Sequence, residues 1–171
     1  MNYQLLAVAT AITIGALLLV QQLVRLLARR RERRAVSARV HSVNDGRYAF
    51  LVNRNLEVED TNYYELNPGR RREPPFMLGN VLHCQTGTDC GLCGTGFACK
   101  TCPVRFCLTN AFKQKHDLSD VKATMTLYDE ANNVVAVDVN LGAELTYIGG
   151  EPHMIVSVET LGTPAPADEK A

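Results

Sequence analysis

At 171 residues and a formal net charge of zero, the chain has room for one domain of ordinary size and a modest core once an apolar N-terminal segment and a short tail are set aside. Its neutrality is a sum over a basic neck and a mildly acidic body. The positive charge is concentrated next to the apolar segment with no stacking aromatics between the arginines, which argues against nucleic acid as a partner.

From Tyr3 to Val24 the sequence carries no charge and reads mostly as Leu, Ala, Val and Ile, enough to cross a hydrocarbon layer of about 30 Å as a helix. The expectation is a transmembrane anchor over 1–28. A cleaved signal peptide would need a basic start, and Met1-Asn2-Tyr3-Gln4 has no positive charge. No polar face recurs with a helical period, which counts against a soluble amphipathic helix. All the positive charge lies on the C-terminal side, so the rule that Lys and Arg stay in the cytoplasm predicts a single-pass protein of the inner (cytoplasmic) membrane, its N-terminus outside and its body inside. Thiols in that body start out reduced.

Residues 29–45 read as a basic helical neck, free of Gly and Pro through Ala38 and ending near Asn44-Asp45-Gly46. Its arginines are a topology signal and a solvated face near anionic lipid. Next come a short strand at 48–52, a turn at Asn53-Arg54-Asn55 and an alternating strand at 56–60, whose Glu57, Glu59 and Asp60 are expected on an exposed face. Asn62 is placed to cap a helix that begins at Tyr63. A polar loop runs from Asn67-Pro68-Gly69 to Pro74-Pro75.

All six cysteines fall from Cys84 to Cys107, with Cys-x-x-Cys spacing at Cys90/Cys93 and Cys99/Cys102. Each such turn brings two sulfurs within reach of one ion, and Gly91, Gly94 and Gly96 permit the tight backbone this needs. In a reducing compartment the pattern points to metal or redox chemistry and away from a disulfide scaffold. Spacing alone favours Cys90, Cys93, Cys99 and Cys102 as ligands. Zinc held by four thiolates, an iron-sulfur cluster, and a thiol-disulfide switch centred on Cys90 and Cys93 all suit the pattern. Pro103 suits the first position of a helix that buries Val104, Leu108, Ala111 and Phe112, with Cys107 as an inert buried thiol. His83 reads as a loop or core residue before it reads as a ligand.

Beyond the cysteines, alternation places Ala123, Met125 and Leu127, then Val135, Val137, Val139 and Leu141, then Met154, Val156 and Val158 on one buried face of three antiparallel strands. Asn132-Asn133 and Gly149-Gly150 supply the turns, and 162–171 is expected to be a disordered tail. No phosphate loop, serine elbow or His-Glu-x-x-His pattern appears, so an enzyme is not expected.

The hairpin Tyr48-Ala-Phe-Leu-Val-Asn-Arg-Asn-Leu-Glu-Val-Glu-Asp-Thr-Asn62 and the three-strand ending resemble a PAS domain over 46–161. The run from Gly79 through Cys84, Cys93-Gly94-Thr95, Cys99 and Cys102 is similar to a cysteine-bearing variety of that family found in bacterial signalling proteins. The resemblance implies an α+β fold, a five-stranded antiparallel sheet with helices and a cysteine-rich loop, at 84–107, over one face. It favours Cys84 over Cys90 as a ligand. The function it implies is a membrane-anchored sensory module whose cysteine-held centre acts through a partner protein, or through a homodimer made by the neck helix. An adaptor subunit clamped by structural zinc and an iron-sulfur electron carrier are the alternatives.

Overall fold

The computed structural model describes residues 3–43, 46–161 and 165–166, with side chains for 13–43 and 46–161. A long helix α1 (Tyr3–His41) leads into strands β1 (Tyr48–Val52) and β2 (Val58–Thr61). Three short helices follow, α2 (Tyr63–Leu66), α3 (Leu78–Val81) and α4 (Gln85–Asp89), then a 3-10 turn at Phe97–Lys100 and helix α5 (Pro103–Gln114). Strands β3 (Leu118–Tyr128), β4 (Val134–Ile148), β5 (Glu151–Thr160) and β6 (Ala165–Pro166) complete the chain.

The fold is α+β. Five antiparallel strands run in the order β2-β1-β5-β4-β3 in one sheet, and β3, β4 and β5 are the three strands that the alternation predicts. Hairpin turns set the register: Asn132 takes φ +60° while the Asp129 carboxylate accepts the amides of Ala131 and Asn133, and Gly149 and Gly150 take φ +61° and +83°. The second strand starts later than expected. Leu56 adopts φ +63° and the Asn53 side chain accepts the amides of Asn55 and Glu57, so the turn extends and Glu57 bridges to Met77 instead. The expected tail is outside the described residues except at β6, which pairs with Val135 and Ala136 of β4. There it uses hydrogen-bonding groups of β4 beyond the stretch paired with β5, which begins at Val139.

Met125, Val137, Val139, Leu141, Met154, Val156 and Val158 all join one core, as expected, packed beneath Leu78, Val104, Leu108 and Phe112. A second core lies on the other face of the sheet. Val36 and Val40 of α1 meet Ala49, Leu51, Ile148 and Ile155, so successive residues of β1 serve opposite cores and the strand is buried on both sides.

The basic neck is therefore docked on the sheet through Val36 and Val40, while its arginines keep the exposed face expected of them. Arg33 pairs with Glu59 at 3.2 Å, Arg39 with Glu144, and the Glu32 carboxylate accepts the Gly149 amide at 2.7 Å. Ser37 donates to Asp60, and His41 reaches Asp60 at 3.2 Å and Glu65 at 2.8 Å. The carboxylates expected on an open strand face at Glu59 and Asp60 lie instead against this helix. Asn62 does not cap α2 either. Its buried side chain accepts the Ala49 amide at 2.7 Å and donates to the carbonyls of Val43 and Arg47, tying the end of the neck to β1.

Among the described residues no helix is long and apolar enough to cross a membrane. The apolar stretch whose side chains are described runs only from Thr13 to Val24 before Arg25, short of the roughly 20 residues a span needs. The first part of the expected anchor, 1–12, lies outside the described side chains.

Candidate functional site: a cavity lined by four thiols

The segment expected as a cysteine-rich loop is built largely from short helical turns. Cys84 precedes α4 and Cys90 follows it, Cys99 lies within the 3-10 turn, and Cys102 precedes Pro103 at the start of α5. Gly91 and Gly94 connect these turns with φ +76° and +102°, conformations that a side chain disfavours. Asn80 of α3 holds the arrangement together: its carbonyl oxygen accepts the Cys93 amide at 2.7 Å, and its amide group donates to the carbonyls of Gly87 and Gly91. The segment is laced to the sheet edge, with Cys84 bridging to Leu127 and the Tyr128 amide donating to the His83 carbonyl at 2.9 Å.

Between these turns, the start of α5 and strand β3 lies a cavity of about 250 Å³ lined by Cys84, Cys93, Cys99 and Cys102. Met125 forms part of its floor and Arg105 part of its wall. Cys93 is seated against Gly79, where a Cβ would come within 2.6 Å of its Sγ. The Gly94 amide donates to Cys99 Sγ at 3.3 Å. Cys90 is exposed and does not line the cavity; its sulfur stands beside Gly96, on which the Cys99 sulfur also borders. Cys107 is half-buried instead of buried, and lies outside the cavity lining. His83 faces another groove with Arg70 and Asn80; burial and the Arg70 charge both hold its imidazole below its ordinary pKa.

Burial pushes the Cys84 thiol up, with amides of Gly87 and Thr86 opposing it and the neighbouring Cys102 and Cys99 adding to it. Cys93 is pushed up by burial too, opposed by the Gly79 amide and the Arg105 guanidinium. Burial thus favours the protonated form of these two sulfurs.

Among the described residues no group of three or more His, Cys, Asp and Glu is disposed to hold a metal ion, so the thiols line a common space without closing on a point. The donor set, four thiols, is that of zinc or an iron-sulfur cluster. A buried, unpaired donor at the same wall, Arg105 Nη1, suits the negative charge such a centre carries. Sequence reasoning passed over Asn80 and Arg105. Asn80 had no local signal, since its partners lie 7 to 13 positions on, whereas Arg105, a basic residue in the first turn of a helix, runs against the helix dipole and was open to notice.

No known protein family's profile matches the chain. No curated protein matches it either. Among solved structures it is similar to the crystal structure of the E. coli DhaR(N)-DhaL complex, with 18% identity and a TM-score of 0.44, over 89% of this chain and 42% of that one.

Proposed function

We propose that 46–161 is a PAS-like signalling module in which Cys84, Cys93, Cys99 and Cys102 hold a metal or redox centre, and that the docked neck helix couples it to a partner protein or a second copy. The observation that carries this reading is that four thiols line one cavity against the sheet, Cys84 and Cys102 from just ahead of helices, Cys99 from within the 3-10 turn and Cys93 from the turn before it. Cys84 takes the fourth ligand position in this proposal and Cys90 a place at the rim. A five-stranded antiparallel sheet with helices over one face is compatible with the PAS resemblance. When bound, zinc or an iron-sulfur cluster would supply a centre that responds to metal supply or oxidation. The chain's own contribution is to seat Cys93 against Gly79, donate the Gly94 amide to Cys99, and shield the sulfurs between α5 and β3.

Membrane anchoring belongs to the same proposal. Ile14, Leu17, Leu19, Leu23 and Leu27 of α1 are all more than half exposed, an apolar surface that suits lipid or a partner better than water.

The test is to purify the full chain in detergent without oxygen, then measure zinc, iron and acid-labile sulfide per chain before and after oxidant. Iron and sulfide, or zinc released by oxidant, support a sensory centre. About one zinc per chain that resists oxidant supports the structural clamp of an adaptor subunit. Equal metal content in a variant with Cys84, Cys93, Cys99 and Cys102 all changed to Ser rules out this cavity as the site.

A further inference from the structure

Only two buried polar side-chain atoms among the described residues lack a hydrogen bond, and one of them is Arg105 Nη1. The guanidinium is half of a close pair of surfaces: a Cβ on Gly94 would stand 2.7 Å from Nη1, 2.9 Å from Cζ and 3.2 Å from Nη2. Gly94 therefore leaves room for Arg105 to lie over the turn that follows Cys93. The same side chain lines the cavity of the four thiols. No acidic residue occupies the first turn of α5, so the positive end of that helix and the guanidinium act in the same sense. A buried cationic donor without a partner is costly, and no carboxylate pairs with it among the described residues.

We propose that Arg105 is the counter-cation of the thiol centre, its buried Nη1–H donating to a sulfur of the anionic four-thiolate group held by Cys84, Cys93, Cys99 and Cys102. This rests on the reading of the cavity given above. Four thiolates leave net negative charge around either a zinc ion or a cluster, and a buried, unpaired donor on a side chain that lines the cavity offsets part of it. Arg105 is a positioning and charge-balancing residue here. It ligates nothing.

The role predicts opposite effects on the two states of the protein. Removing the charge relieves an unpaired buried donor in the metal-free chain and removes a partner from the loaded one. Full-length wild type, Arg105→Gln and Arg105→Lys are compared in detergent, metal-free and without oxygen, by thermal melting and by titration with zinc ion alone against a colorimetric chelator. Zinc affinity is expected to fall roughly 10- to 100-fold in Arg105→Gln and less in Arg105→Lys, which keeps the charge but not the planar fork. Metal-free Arg105→Gln is expected to melt no lower than wild type. Equal zinc affinity in wild type and Arg105→Gln overturns the role of Arg105 alone, as does lower metal-free melting with unchanged affinity. A wild type that takes up neither zinc nor iron overturns the reading of the cavity itself.

Discussion

Gly79 shows how one atom shapes the cavity. Nothing in its backbone demands glycine; the space a Cβ would need is taken by Cys93, 2.6 Å away at Sγ and 3.1 Å at Cβ. In Gly79→Ala the cysteine has to swing out of its seat, at a cost of about 1–3 kcal/mol for overpacking a filled site. We expect a lower urea midpoint together with weaker zinc uptake. If both stay at wild-type values, Cys93 is not held there. The spacing of Cys93, Cys99 and Cys102 was plain in the sequence, whereas only the family resemblance favoured Cys84 over Cys90; in the structure Cys84 lines the cavity and Cys90 does not. Local sequence could not decide it, because the choice depends on which side of α4 faces β3. Asn62 teaches the same lesson: an asparagine ahead of a helix looks alike whether it caps that helix or ties distant backbone.

At the scale of elements, the neck helix is the main departure from expectation. Val36, Val40 and Val43 recur at helical spacing, and Tyr48-Ala-Phe-Leu-Val is apolar without alternation, the mark of a strand covered on both faces. Those two signals together require a partner for the second face; the density of arginine masked them. Asp60 fastens the helix. Burial works against its charge, but hydrogen bonds from Ser37 and His41, the His41 charge and the Thr61 amide outweigh it and hold the carboxyl below its ordinary value of 3.8. A depressed carboxylate stabilises the folded state above its unfolded pKa, and the contribution is lost as pH falls through the lower folded value. Wild type should therefore lose more melting temperature than Asp60→Asn between about pH 5 and pH 3. Parallel losses in the two proteins would show that Asp60 does not fasten the neck.

On the scale of the whole molecule, the sheet separates the thiol cavity from the neck, with one core on each face. Phe50 and Val52 belong to the cavity side, Ala49 and Leu51 to the neck side. β1 and β5 contribute side chains to both cores. Val40 is fully buried in the smaller core, and Val40→Asp places a charge there at a cost of about 3 kcal/mol or more. Amide hydrogen exchange should then rise in 30–43 while α5 and β3 keep most of their protection. Equal loss of protection across all three would mean that the two cores unfold as one unit.

The sequence by itself determined the strand positions and the buried face of β3, β4 and β5, the helix that starts at Pro103, and the clustering of the thiols, because periodicity, turn residues and short spacings act over a few neighbours. Only the tertiary structure decided what covers the second face of the sheet, which sulfurs share a cavity, and that Arg105 stands unpaired beside them. Those outcomes depend on contacts between residues far apart in the chain, such as Arg39 with Glu144 and Cys84 with Leu127, whose distances are fixed only when the sheet closes and the helices pack against it.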